Sequence, residues 1–156
     1  MNKTAVLAAI VAALESEWEA AIREARAASD AATDPDAKAE NKYDTRALEA
    51  SYLARGQAQR VAGLGEAVAQ WRLLATSAAA PTAVVVAGAI VTLRTGETDA
   101  FYCFGPSGGG TAVTVEGREI WPVTPASPLG RQLSGKRAGA VILLPGLPAR
   151  TVIAVA

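Results

Sequence analysis

The chain has 156 residues, with 15 basic and 15 acidic side chains, no histidine and one cysteine. Zero net charge offers no global field to draw nucleic acid, the lone cysteine excludes an internal disulfide framework, and the absence of histidine removes the commonest metal ligand and acid/base group. Apolar residues make up 51% but aromatics only 5%, and alanine is crowded into the first half, which suits slender helices more than a bulky core.

Met1-Asn2-Lys3 and the apolar run Ala5 to Leu14 resemble a secretory signal, yet the same residues open a helical seam that continues past Glu15. No stretch reaches the ~18 apolar residues of a membrane span. The expectation is a cytoplasmic protein. Leu7, Ile10, Leu14, Trp18, Ala21, Ala25 and Ala28 step by three or four, and so do Ala50, Ala54, Gln57, Val61, Leu64, Val68 and Trp71. Neither run contains proline, so two helices joined by a short turn should pack antiparallel.

The pairing can be checked by arithmetic, because facing residues of an antiparallel hairpin have a constant sum of numbers. Leu7 with Trp71, Ile10 with Val68, Leu14 with Leu64, Ala21 with Gln57 and Ala28 with Ala50 give 78, while Trp18 with Val61 and Ala25 with Ala54 give 79. The midpoint falls near residue 39, inside Asp34-Pro35-Asp36-Ala37-Lys38-Ala39-Glu40-Asn41, which has the turn chemistry required. This tip is acidic: Asp30, Asp34, Asp36, Glu40 and Asp44 outnumber Lys38 and Lys42. Such a segment is either a solvated turn or a set of hard oxygen donors that would hold magnesium only with further ligands from a partner.

Three segments are expected: a helical hairpin over 1–76, a linker over 77–82 and a β-rich domain over 83–156. The last contains short β-prone runs at Val84 to Leu93, Ala100 to Phe104, Thr111 to Val115, Ile120 to Val123, Ala140 to Leu144 and Thr151 to Val155. Turns are expected at 96–99 and 116–118. Ser127 to Leu133 is the one helix expected there, with Pro128 in its first turn. The whole is α+β with antiparallel strands.

Cys103, in Phe-Tyr-Cys-Phe, reads as a buried strand thiol with no histidine to activate it. Gly130 to Lys136 fits the first seven positions of a phosphate-binding P-loop, but Arg137 stands where Ser or Thr should reach magnesium, and the helix precedes the loop. Gly105 to Gly110 has no lysine and no following helix, so it reads as a strand connection. Arg131, Lys136 and Arg137 form a small basic cluster.

Val123-Thr-Pro-Ala-Ser127-Pro128-Leu129-Gly130-Arg-Gln-Leu-Ser-Gly135-Lys136-Arg-Ala-Gly139 resembles the segment of Gre-type transcription elongation factors reading roughly Ser-Pro, a small or aliphatic pair, Leu-x-Gly-Lys-x-x-Gly. The order of Gly88 to Leu93, this segment and a last strand also resembles that family's C-terminal domain, and the hairpin and acidic tip match as well. The resemblance implies an FKBP-like antiparallel β domain with one short helix, and a non-enzymatic, monomeric factor that binds bacterial RNA polymerase. In that family the β domain docks at the rim of the secondary channel. The hairpin enters the channel, and tip carboxylates help hold a magnesium ion shared with the polymerase, which then cleaves backtracked RNA. On this chain the resemblance gives Asp36 and Glu40 as the metal-facing carboxylates, with Asp44 or Asp34 in reserve. It gives Ser127, Pro128, Leu129, Gly130 and Gly135 as docking residues, and no cofactor beyond the shared magnesium. The family's tip reads Asp-x-x-Glu-Asn; Glu40-Asn41 fit, while Asp36 lies four residues before Glu40.

Three rival readings are a channel binder that inhibits without cleavage, a peptidyl-prolyl isomerase and a coiled-coil dimeriser. The isomerase would have to build an aromatic pocket from Phe101, Tyr102, Phe104 and Trp121.

Overall fold

The computed structural model describes residues 1–33, 46–77, 80, 82–107 and 110–156. The chain is α+β. Two long helices, α1 (Lys3–Thr33) and α2 (Arg46–Ser77), precede six strands and one short helix: β1 (Ile90–Thr95), β2 (Thr98–Phe104), β3 (Val113–Val115), β4 (Arg118–Val123), α3 (Pro128–Leu133), β5 (Val141–Ile142) and β6 (Arg150–Val155). At ~1.5 Å rise per residue, α1 and α2 are each about 45 Å long. Contacts divide the chain into two units, one of residues 1–14 and 67–156, the other of residues 15–66.

In the first unit the strands lie in the order β3-β4-β2-β1-β6-β5. β1 and β2 form a tight hairpin closed at Thr95 and Thr98, with Gly96 at φ +57°. β3 and β4 close at Val115 and Arg118 across Glu116 and Gly117, both at positive φ. β6 pairs antiparallel with β1 and with β5. Not every pair is antiparallel, because β4 lies parallel to β2 with Phe101 opposite Ile120 and Phe104 opposite Val123.

The expected strand from Val84 begins only at Ile90. Val84 to Ala89 are β-prone, but their hydrogen bonds go elsewhere. Val85 N donates to Lys136 O, Gly135 N donates to Val85 O, and Gly88, at φ +87°, donates to Phe104 O. The positive φ ends any extended run at Gly88.

Alternation along β1 and β2 sends Val91, Leu93, Tyr102 and Phe104 to one face of the sheet. There they cluster with Val85, Val123, Leu133 of α3, Ile142 and Val152. Ile90 and Cys103 point to the opposite face and are equally buried. Val6, Leu7, Ile10, Ala67, Val68 and Trp71, from the ends of α1 and α2 that belong to this unit, are buried as well. Trp71 packs closely on the segment after β2. Its Nε1 donates to Ser107 O at 2.8 Å, and its ring fills the space above Gly105, where a Cβ would stand 2.0 Å from Cζ2.

The described residues of the second unit are the remaining parts of α1 and α2, which run antiparallel: Arg60 on α2 reaches Glu17 at 3.4 Å and Glu24 at 3.0 Å on α1. Trp18 lies against Gly65, at 3.3 Å from where a Cβ would be. That is one helical turn beyond the Val61 that the constant sum pairs with it. An indole needs room, and glycine supplies it where valine would not. The alanine-rich stretch is only half closed. Ala25, Ala28, Ala54, Gln57 and Val61 stay partly exposed, and a groove of about 280 Å³ runs between Ile22, Ala25, Arg26 and Ser29 on one side and Ala58 and Val61 on the other.

Candidate functional site

Two places concentrate the residues singled out by the sequence. Asp36, Glu40, Asp44 and Asp34 lie outside the described residues. Thr33 and Arg46, the ends of α1 and α2, flank them. Among the described residues no group of three or more His, Cys, Asp or Glu side chains is placed to hold a metal ion. No described helix is long and apolar enough to cross a membrane.

The second place is the segment around α3. Ser127 caps this helix: its Oγ accepts from Gly130 N at 2.9 Å and donates to Thr124 O at 2.8 Å. A short polar side chain in extended backbone satisfies an orphan amide of the first turn in this way, and Pro128 follows where its missing N–H costs nothing. Gly130 is buried because the Thr124 carbonyl passes over it; a Cβ there would lie 1.8 Å from that oxygen. Leu133 is fully buried in the core cluster, and Leu129 packs against the same cluster.

Gly130 O accepts from Ser134 N at 3.0 Å and Leu133 O from Lys136 N at 2.9 Å. Gly135, at φ +73°, turns the chain away. So the stretch from Gly130 to Lys136 is a helix running into a turn, the reverse of a P-loop's order.

Of the five docking residues named from the sequence, Ser127, Leu129 and Gly130 are partly or fully buried and make internal contacts, whereas Pro128 and Gly135 are exposed. From Ser127 to Arg137 the exposed side chains are Pro128, Arg131, Gln132, Ser134, Lys136 and Arg137. Sequence reasoning noted the three cations as a cluster but did not name them as site residues. Their signal was charge, whereas the motif drew attention to the residues that build the turn.

Arg131 is pinned, its Nη1 donating to Ala126 O. Across from α3, Leu144 and Pro145 complete a recess of about 490 Å³ with Pro128, Arg131, Gln132, Ser134 and Lys136.

Several other titratable groups do structural work. Arg94 and Asp99 face each other across the β1–β2 hairpin at 2.7 and 2.9 Å, and this bond holds the Asp99 carboxyl below its ordinary range. Burial pushes the Cys103 thiol up to about 12, opposed by the charge of Lys3. Burial in turn lowers the pKa of Lys3, whose Nζ donates to Ala80 O at 3.0 Å. A buried thiol held protonated is a core side chain and a poor nucleophile. Phe101 carries Arg118 over its ring at 5.2 Å, Tyr102 packs on the core and bonds Arg150 at 3.4 Å, and Phe104 is buried. Trp121 stands exposed on another part of the sheet, with its Nε1 bonded to Glu119 at 3.2 Å.

No family model matches the chain, and no curated protein matches it. Among solved structures it is similar to GreA factor homolog 1 (Gfh1) of Thermus thermophilus, at 18% identity over 94% of each chain and a TM-score of 0.38. It is also similar to Gfh1 of Thermus aquaticus, at 18% identity, 91% of this chain, 90% of that one and a TM-score of 0.36. A further structure of the transcription factor Gfh1 aligns at 16% identity over 94% and 93% of the two chains, with a TM-score of 0.37.

Proposed function

We propose that the chain is a Gre-like accessory factor that binds RNA polymerase, presenting the acidic segment between α1 and α2 to the polymerase's secondary channel while the β-rich unit docks outside it. The observation that carries this reading is the fit of Val123 to Gly139 to the Gre pattern, on residues that here build one capped, rigid corner. Ser127, Gly130 and Gly135 have backbone duties that other residues fill poorly, so the pattern marks a specific shape and not a composition. A unit whose described residues form an antiparallel helical pair suits a part that enters a narrow opening. The solved structures named above are of a GreA homologue, which agrees with the reading.

The chemistry assigned to this chain is limited to its carboxylates. Asp36 and Glu40, with Asp44 in reserve, would add oxygen ligands to a magnesium ion belonging to the polymerase. Bound there, that ion would supply the activation of water and the stabilisation of the leaving oxygen. The factor itself is then not an enzyme. Pull-down with RNA polymerase, followed by transcript cleavage on a stalled complex, tests both halves. Asp36→Ala and Glu40→Ala should abolish RNA shortening and leave binding unchanged; no binding of the unaltered chain to polymerase refutes the proposal.

A second reading keeps the binding and drops the cleavage. It is favoured by the four-residue separation of Asp36 and Glu40, one more than in the Gre pattern, since two-metal chemistry depends on placement. It is distinguished by polymerase binding without shortened RNA, and by inhibition that the same substitutions relieve.

A further inference from the structure

The charge of this chain is unevenly spread. From Ile120 to Ala156 there are four cationic side chains, Arg131, Lys136, Arg137 and Arg150, and no aspartate or glutamate at all. With 15 of each sign overall, the rest of the chain is net negative. Two of the four cations, Arg131 and Lys136, line the recess beside α3, with Gln132 and Ser134 between them and Leu144 and Pro145 facing them.

Both cations stand on fixed backbone. Arg131 N donates to Ser127 O and its guanidinium to Ala126 O; Lys136 N donates to Leu133 O and its carbonyl accepts from Val85 N. The opposite wall is also fixed: Leu147 N donates to Leu144 O, and Gly146 takes φ +75° to close that turn. Leu143 and Leu147 beside it are 63% and 50% exposed, so apolar surface continues beyond the rim.

A recess with cations on one wall, aliphatic side chains on the other and no carboxylate in its lining selects a ligand carrying both anionic and aliphatic groups. Nucleic acid fits less well. Two cations make a short track for a phosphate backbone, and no aromatic lines the recess for a base to stack on. We infer that this recess seats an acidic, leucine-bearing peptide segment of a protein partner, its carboxylates on Arg131 and Lys136 and its aliphatic side chain against Leu144 and Pro145. This deepens the docking half of the proposed function. It rests on that reading for the identity of the partner, but not for the chemistry of the recess.

The test uses the isotope-labelled full chain in heteronuclear NMR. It is titrated with a short synthetic peptide repeating Glu-Asp-Leu, its Gln-Asn-Leu counterpart and a single-stranded RNA oligonucleotide. The acidic peptide should shift the signals of Arg131, Gln132, Ser134, Lys136 and Leu144. Arg131→Glu with Lys136→Glu should weaken it on the order of tenfold or more, since two ion pairs become two repulsions. The spectrum of the double variant shows directly that it remains folded. Equal binding of the neutral peptide, tighter binding of the RNA, or shifts confined to other surfaces would each overturn the inference. Polymerase pull-down separates the two readings. Loss of capture in the double variant supports the recess as the docking point, and undiminished capture overturns it while leaving the polymerase reading intact. If the unaltered chain binds the acidic peptide but no polymerase, the recess stands and the polymerase reading falls.

Discussion

Gly130→Ala is the sharpest perturbation of the corner on which the docking reading depends. The added methyl would stand 1.8 Å from the Thr124 carbonyl oxygen and 2.6 Å from its carbon. Carbon and oxygen in contact lie about 3.3 Å apart, so about 1.5 Å must be found between α3 and the strand of backbone crossing it. Both are tied down. Ser127 bridges Thr124 O and Gly130 N, and Leu133 anchors the other side of the helix in the core. Overpacking of this kind costs about 1–3 kcal/mol, and loss of the Ser127 cap adds about 1. The better helix propensity of alanine returns at most about 1 kcal/mol. The net loss is about 2 kcal/mol, which for a chain of this size is a fall in Tm of about 4–8 °C. Thermal unfolding followed by near-ultraviolet circular dichroism measures it. Ser127→Ala alone should cost about 1 kcal/mol, and the double variant less than the sum of the two, because both act on one corner. An unchanged or raised Tm for Gly130→Ala would show that the corner yields without cost, and the argument for a rigid docking shape would fail.

Three further outcomes are expected. Gly105→Ala should destabilise the β-rich unit by about 2 kcal/mol or more, since its methyl would overlap the Trp71 ring, and the fluorescence of Trp71 should move to longer wavelength as the indole leaves its site. Glu116→Asn should raise stability by about 0.5–1 kcal/mol in a denaturant titration, because Glu116 sits at φ +52°, which asparagine tolerates, and the exposed bond it gives up to Asn2 N is weak. Cys103 should resist a thiol reagent at pH 8 in the native protein and react at once in denaturant. Its pKa is raised by folding, so its contribution is complete below the ordinary value of 9 and declines as pH rises toward about 12. Lys3, with its pKa lowered, titrates in the opposite sense, so the comparison is with Cys103→Ala over the same range.

What could be read from the sequence was what local chemistry decides. The two helical runs, the hairpin turns expected at 96–99 and 116–118, which the structure narrows to 96–97 and 116–117, and a helix starting with Ser127-Pro128 follow from apolar spacing, glycine placement and capping. Two features depended on distant residues. Adjacent hairpins show which strands are neighbours in sequence, but β4, and not β3, lies beside β2, and lies parallel to it. Nothing in either strand announces that parallel pairing. The match of Trp18 to Gly65 was hidden for a related reason. A seam of constant sum treats every residue as the same size, and one indole shifts its partner by a turn. At the candidate site the motif pointed to the residues that hold the corner together. The side chains it displays, Arg131 and Lys136, became visible as a group only once Leu144 and Pro145 were seen opposite them.

The β-rich unit includes Val6, Leu7 and Ile10 from one end of the helical run and Ala67, Val68 and Trp71 from the other. It is therefore sewn together from both sides of an insertion. Its folding cannot finish during synthesis until the last strand is made, and a fragment starting after α2 would lack these six buried side chains. The inserted pair is under a different constraint. Seven residues could be removed from each helix, keeping the seam in step, with no atom of the sheet's core disturbed. Reach is thus a quantity that evolution or an engineer can set independently of the scaffold that carries it.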